Sequence, residues 1–224
     1  MRMPKASLAV VFAFALGLVS AAGAGEPAPA PPPAAASGAT APGGAGAAGA
    51  AAAPSTISGP RAGEKAPAFS LKAVDSGQPR ALESFTKAKG KDGKEGKGAV
   101  VLFLSCRCPY VAQARSPLAE LHKQYGDKVA FVGLNANQNE KADDIKADAT
   151  QSFAFPMLRD EGSKVADLYG AQRTPEAFVI DPSGVIRYHG GVADLGPALA
   201  QLVAGTPIAK AESKAFGCTI KRKP

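Results

Sequence analysis

A continuous apolar run, Ala99–Leu104 (AVVLFL), constrains the fold more than any other feature, because a helical pattern begins only five residues after it. The run has no polar residue at alternate positions, which predicts a strand buried on both faces of a sheet. From Pro109 to Tyr125 apolar residues recur at intervals of three and four, as on one face of a helix, and Gly126 ends the pattern. A buried strand that leads into an amphipathic helix predicts an α/β domain.

Strands and helices continue to alternate along the chain as far as Gly205. The predicted elements are, in order, a strand over 128–134, a helix over 140–153, a strand over 156–159, a helix over 163–169, a hairpin of strands 177–180 and 185–189, and a helix from Asp194. This order predicts a central mixed sheet with helices on both faces. A right-handed crossover then places the start of helix 109–125 at the carboxyl edge of strand 99–104, where sites in such sheets lie.

The first 24 residues have the pattern of a secretory signal peptide. Arg2 and Lys5 precede an apolar run, Leu8–Val19, and Ala22 and Ala24 provide an Ala-x-Ala cleavage site. The run is shorter than the roughly 20 residues that a membrane-spanning helix requires. We therefore expect a periplasmic or secreted protein with no stable membrane insertion after cleavage of residues 1–24.

The composition of the chain separates a linker from a domain. Residues 25–60 contain 14 Ala, 8 Pro and 7 Gly, which leaves too few large apolar side chains to offset the entropy of ordering the segment. We predict a disordered linker over 25–60, one domain over 61–205 and a basic tail over 206–224. The formal net charge of +7 arises from segments 87–98 and 210–224. Neither carries a series of stacking aromatic residues, so we expect no nucleic-acid partner.

Two of the three cysteines lie between the buried strand and the helix that follows it, in the segment Ser-Cys106-Arg-Cys108-Pro. Pro109 is a favoured first residue of a helix, which makes Cys108 the N-cap. A sulfur at this position faces unpaired backbone N–H groups, and Arg107 adjoins it; both features favour the thiolate over the thiol. We predict that Cys108 is a nucleophile with a lowered pKa.

The partner of Cys108 has two candidates, Cys106 and Cys218. A disulfide between residues two apart closes a small ring and strains its torsion, and strained disulfides are the labile, oxidising ones. Side chains two apart at a strand end require the backbone to leave extended geometry before they can pair. We take Cys106 as the first choice for the resolving cysteine and Cys218 as the second.

Four segments carry a family likeness: 99–111 (AVVLFLSCRCPYV), 135–137 (NAN), 173–184 (RTPEAFVIDPSG) and 217–221 (GCTIK). Together they resemble the redoxin family, the peroxiredoxin-like alkyl hydroperoxide reductase/thiol-specific antioxidant group. The resemblance implies a three-layer, thioredoxin-like fold and no cofactor. It also implies a cis peptide bond at Thr174–Pro175 that lies against the active cysteine, presents backbone to a substrate thiol and keeps metal out.

These observations predict an exported thiol–disulfide oxidoreductase that acts on protein thiols or disulfides and is recycled by a reducing partner protein. A thiol-dependent peroxidase acting on small peroxides is the alternative, and Ser105 fits the family position three residues before the active cysteine. However, Val101 stands where the peroxidases of this family have proline. Pro175 stands where they have the arginine that polarises the peroxide, and Arg173 is out of register.

A copper-binding metallochaperone is the third possibility, with Cys106, Cys108 and His189 as ligands. The Cys-x-x-x-Cys spacing of the thioredoxin-like metallochaperones does not occur in this segment. We therefore predict no metal site.

Overall fold

The computed structural model describes residues 58–223. Its strands are β1 (Ser70–Ala73), β2 (Pro79–Ala81), β3 (Ala99–Leu104), β4 (Ala130–Asn135), β5 (Met157–Arg159), β6 (Arg173–Thr174), β7 (Glu176–Ile180), β8 (Ile186–Gly190) and β9 (Cys218–Thr219). Its α-helices are α1 (Leu82–Thr86), α2 (Pro109–Tyr125), α3 (Ala142–Ser152), α4 (Lys164–Tyr169) and α5 (Leu195–Ala204).

Seven of these strands form one mixed sheet in the order β2-β1-β5-β4-β3-β7-β8. The central strand β3 pairs in parallel with β4 and antiparallel with β7. Alternate residues of β3 enter two separate cores: Val101 and Phe103 pack with side chains of α1 and α4, whereas Leu102 and Leu104 pack with side chains of α2 and α5. The structure confirms the predicted mixed sheet with helices on both faces.

The strand and helix that flank the cysteines match the sequence prediction, whereas two neighbouring elements begin later than predicted. β4 begins at Ala130 because the N–H groups of Lys128 and Val129 are still bonded to the Tyr125 carbonyl in the turn after α2. Helix α3 begins at Ala142 because Glu140 is turned into the protein and is only 6% exposed. Burial of Glu140 positions its carboxylate for the contacts described below.

The segment after Gly205 packs onto the domain, although the sequence analysis separated it as a basic tail over 206–224. β9 pairs antiparallel with β6, and Ile220, which is 2% exposed, joins the core. The Lys221 N–H donates to Asn137 Oδ1, and the Gln138 N–H donates to the Lys221 carbonyl. These bonds satisfy the backbone N–H and carbonyl of Lys221 against the segment that follows β4. The packed unit therefore continues past the predicted boundary at residue 205.

The predicted signal peptide (1–24) and nearly all of the predicted linker (25–60) lie outside the described residues. Both remain predictions. Within residues 58–223, no helix combines the length and the apolar character needed to cross a membrane.

Candidate active site

Cys108 occupies the N-cap position of α2, with extended backbone angles (φ −86°, ψ 120°), and Pro109 is the first helical residue. This is the arrangement predicted from the Cys-Pro pair. The Cys108 side chain is 4% exposed, and its Sγ donates a hydrogen bond to the Thr174 carbonyl oxygen at 3.1 Å. The sulfur therefore lies between the start of α2 and the turn that connects β6 to β7.

The surroundings of Cys108 favour its thiolate. Burial alone would raise the pKa of this thiol, but hydrogen bonding from the side chains of Cys218 and Thr174 and from the Val111 N–H outweighs burial and lowers the pKa. Donors at a helix N-terminus stabilise the anion for the same reason that they bind other negative groups. Cys108 therefore has the electrostatic character of an attacking thiol.

Cys218 is the cysteine that lies beside Cys108. It is half-buried on β9 and is the antiparallel partner of Thr174, whose carbonyl holds the Cys108 sulfur. The pKa of Cys218 is raised, first by burial and then by the neighbouring Cys108. The pair thus consists of one thiol with a lowered pKa and, beside it, a second thiol with a raised pKa.

Cys106 faces a different group, although it was the first choice for the resolving residue. Its backbone N–H and that of Arg107 donate to the Glu140 carboxylate, both at 3.2 Å. Burial, followed by the charge and hydrogen bonding of Glu140, raises the pKa of the Cys106 thiol to about 12. The turn 105–107 therefore directs Cys106 towards a carboxylate, and the tail brings Cys218 to Cys108.

The Arg107 side chain pairs with α3, although we predicted that it would stabilise the Cys108 thiolate. Its Nη2 pairs with Asp144 Oδ2 at 2.7 Å, and the guanidinium is more than half exposed. The groups that most strongly stabilise the Cys108 thiolate are Cys218, Thr174 and Val111. Because the Arg107 N–H bonds inward to Glu140, its side chain leaves the turn on the solvent side and pairs with α3.

The Thr174–Pro175 peptide bond is cis, and Thr174 is buried against Cys108. The tail lies directly on this edge. A Cβ atom on Gly217 would overlap the Thr174 carbonyl oxygen, so glycine is the residue that allows the tail to approach this closely. Thr174 therefore contacts both the nucleophile and the tail, and Pro175 lies beside the tail at Gly217.

The side chains invoked for the alternative functions have other partners. Arg173 Nη1 donates to Thr219 Oγ1 at 2.9 Å, which places it on the tail strand. His189 Nε2 lies 2.7 Å from Glu176 Oε1, and the ring stacks on Phe178 at a centroid distance of 4.1 Å. Within residues 58–223, no three His, Cys, Asp or Glu side chains gather closely enough to hold a metal ion.

Comparison with known proteins identifies the family of this chain. A model of the AhpC/TSA family matches residues 62–189. The chain belongs to the AhpC/TSA family. This confirms the resemblance to the redoxins that the sequence segments indicated.

Relatives and solved structures extend the comparison. The chain is 33% identical over 131 residues to the thioredoxin-like protein YneN of Bacillus subtilis, which covers 58% of this chain and 71% of YneN. It is 28% identical over 133 residues to the thiol-disulfide oxidoreductase ResA of Halalkalibacterium halodurans, which covers 58% of this chain and 69% of ResA. A conserved protein of Geobacillus kaustophilus superposes with a TM-score of 0.64 at 27% identity over 73% of this chain and 93% of its own.

The sequence analysis missed Glu140, whose buried carboxylate accepts four hydrogen bonds beside the cysteine segment. It assigned Glu140 to the first turn of a helix, where an acidic residue is usual. No local pattern marks the residue, because its partners Ser105, Cys106 and Arg107 lie more than thirty positions earlier. The only signal nearby was the polar Asn135–Asn137 segment after β4.

Proposed function

We propose that this chain is an exported thiol–disulfide oxidoreductase in which Cys108 is the nucleophile and Cys218 is the resolving cysteine. One observation carries the proposal: the buried thiol at the start of α2 has a lowered pKa, and a second thiol is held beside it by the β6–β9 pairing. The similarity to ResA, which is named as a thiol-disulfide oxidoreductase, supports the same reaction class.

The first step breaks a substrate disulfide. The Cys108 thiolate attacks one substrate sulfur and forms a mixed disulfide with it. The other substrate sulfur leaves with the electron pair of the broken bond and takes up a proton from water. A thiolate at a helix N-terminus suits this role because the thiolate is the attacking form.

The second step releases the substrate. Cys218 loses its proton and attacks the Cys108 sulfur, which expels the remaining substrate sulfur as a thiolate. The substrate gains two electrons and two protons, and the chain ends with a Cys108–Cys218 disulfide. A reducing partner protein restores the two thiols by the reverse exchange. We infer that the polypeptide edge at Thr174–Pro175 orients the reacting sulfurs, because it contacts both of the cysteines involved.

We propose that the protein acts in the periplasm or the extracellular space. This location rests on the signal-peptide pattern of residues 1–24. Such compartments permit disulfide chemistry, which the reducing cytosol opposes.

Small peroxides are the second candidate substrate class, because membership of the AhpC/TSA family and the Cys108–Cys218 pair are compatible with both reactions. The Cys108 thiolate would attack a peroxide oxygen to give a sulfenic acid and an alcohol or water. Cys218 would then condense with the sulfenic acid, release water and form the same disulfide. Hydrogen peroxide consumption that is lost in Cys108→Ser would identify this reaction.

Disulfide mapping after mild oxidation tests the proposal. Trypsin places the three cysteines in three separate peptides, 98–107, 108–115 and 215–221, because Arg107 separates Cys106 from Cys108. We expect diamide to link peptide 108–115 to peptide 215–221 and to leave Cys106 free. We also expect the reduction of a model peptide disulfide to be lost in Cys108→Ser. A Cys108 that stays free under the oxidant would refute the proposal.

A further inference from the structure

The carboxylate of Glu140 is buried beneath the turn that carries Cys106. Its Oε1 accepts hydrogen bonds from the Ser105 hydroxyl and from the Arg107 N–H, the latter at 3.2 Å. Its Oε2 accepts from the Cys106 N–H at 3.2 Å and from Asn135 Nδ2 at 2.6 Å. Every one of these partners donates, which matches a carboxylate that only accepts.

A second layer holds this carboxylate in place. Arg159 Nη1 donates to Asn135 Oδ1 at 2.7 Å and also to the Asn137 carbonyl at 2.9 Å. Asn135 is therefore fixed from one side by a guanidinium and donates to Glu140 on the other. A buried charge is costly unless it is paired and hydrogen-bonded, and this network supplies the required donors.

The network acts on one cysteine of the three. Burial raises the pKa of the Cys106 thiol, and of the charged groups that face this thiol Glu140 raises it the most. Two other charged groups face Cys106: Asp148, which is paired with Arg115, and Arg107, which is paired with Asp144. These two have opposite signs and each is already neutralised by a partner.

The attacking species in thiol–disulfide exchange is the thiolate, so a thiol whose pKa stays raised during the reaction is withheld from it. The pKa of Cys218 is raised in part by Cys108 itself, and this contribution ends once Cys108 is bound in the mixed disulfide, whereas the charge of Glu140 stays beside Cys106. Cys106 is two residues from the nucleophile, which would otherwise make it a nearby competitor for the mixed disulfide. We propose that Glu140 selects the resolving cysteine: by fixing the turn 105–107 and placing its negative charge beside Cys106, it withholds Cys106 from exchange and leaves Cys218 as the partner of Cys108. This inference rests on the proposed function and makes Glu140 a positioning residue.

The substitution Glu140→Gln tests the inference, because it keeps the size of the side chain and removes its charge. We expect the pH midpoint of iodoacetamide alkylation of Cys106 to fall by at least about one pH unit, which is about tenfold more thiolate at pH values well below both midpoints. We also expect diamide to produce links that contain peptide 98–107. In urea, the two proteins should alkylate at Cys106 with the same profile.

Asp143→Asn is the matched control. It removes an exposed carboxylate from the first turn of α3, three residues after Glu140, and leaves both the Glu140 network and the Arg107–Asp144 pair in place. We expect the alkylation profile of Cys106 and the disulfide map of this variant to equal those of the wild type. If Glu140→Gln does not fold, as judged by thermal unfolding, Glu140→Asp provides the second variant. It retains the negative charge but draws it back from Cys106, so we expect the alkylation midpoint of Cys106 to fall by a smaller amount.

The outcomes separate this inference from the proposed function. A Cys106 midpoint and a disulfide map that are unchanged in both Glu140 variants would overturn the selection by Glu140, even with the Cys108–Cys218 link intact. Absence of the Cys108–Cys218 link in the wild-type protein would instead overturn the proposed function. A midpoint shift in Asp143→Asn equal to that in Glu140→Gln would also count against Glu140, because it would show a general effect of surface charge.

Discussion

Thr174 holds both cysteines of the proposed pair: its carbonyl accepts the hydrogen bond of Cys108 at 3.1 Å, and its backbone faces Cys218 in the antiparallel β6–β9 ladder. One residue before the cis proline therefore fixes the positions of the nucleophile and of its partner.

Cys218→Ser is expected to stop the reaction after its first step. Cys108 still attacks, but no second thiol lies beside it to expel the bound group, so a mixed disulfide accumulates. Incubation with oxidised glutathione and intact-mass measurement should show stable glutathione addition in Cys218→Ser and little in the wild type. Cys106→Ser is the control and should resolve like the wild type. Accumulation in Cys106→Ser instead would assign the resolving role to Cys106.

The alkylation of Cys108 is expected to depend on pH in a way that reflects its lowered pKa. The midpoint of its iodoacetamide reaction should lie below that of the same cysteine in urea, because the folded protein stabilises the thiolate. The midpoint is the useful quantity, since burial slows the absolute rate. Folded and urea-treated protein with equal midpoints would contradict the assignment.

The same shift makes a contribution to stability whose sign can be stated. Between the folded-state pKa and the higher unfolded-state pKa, the unfolded chain binds more protons at Cys108 than the folded chain does. The contribution of Cys108 to the free energy of unfolding therefore rises with pH through this window, and it is lost as pH falls through the folded-state pKa. The difference in the free energy of unfolding between reduced Cys106→Ser and the double variant Cys106→Ser/Cys108→Ser, followed across this pH window, isolates the contribution of Cys108.

Gly217→Ala is expected to displace the tail strand. The added methyl group would overlap the Thr174 carbonyl oxygen, so β9 must move away from β6. A displacement of about 1 Å can cost about 100-fold in the rate of a positioned reaction, and we expect a loss of this order in the resolving step measured by stopped flow. Gly196→Ala is the control, because its nearest neighbour is the flexible end of Leu121. An unchanged resolving rate in Gly217→Ala would show that the β6–β9 contact is dispensable.

Leu118→Ala is expected to destabilise the domain through the core under the active-site helix. Leu118 is fully buried between α2 and the sheet, and removal of a buried leucine side chain costs about 2–5 kcal/mol. Leu168→Ala makes the same chemical change at a position that is 55% exposed, and we expect a loss of less than about 0.5 kcal/mol. Urea unfolding of the reduced proteins measures both. Similar losses would mean that α2 packs less tightly than the structure shows.

Sequence reasoning succeeded where the determining interactions are local. β3 was predicted from six consecutive apolar residues and is buried at every position. The N-cap position of Cys108 followed from Pro109, since proline favours the first turn of a helix. The fold class followed from the alternation of these local patterns.

The rest of the site depends on contacts between distant parts of the chain. β9 has only two residues and pairs with a two-residue strand, so it has no periodic pattern to detect. Without that pairing, Cys218 is merely a cysteine in a basic tail, and Cys106, which is closer to Cys108 in the sequence, is the better candidate for the resolving cysteine. Glu140 reaches back 34 residues to Cys106, and the direction of Arg107 depends on the same contact. These relationships exist only once the chain is folded.

The pairing of β9 with β6 also affects any polypeptide that approaches the edge at Thr174. A peptide that uses this edge must displace a strand that the chain itself supplies. A tethered competitor of this kind acts at an effective concentration of about a millimolar, whatever the dilution of the protein. Weakly binding polypeptides are therefore excluded from this edge by the connectivity of the chain, and a polypeptide partner that pairs there must overcome the same competitor in every cycle.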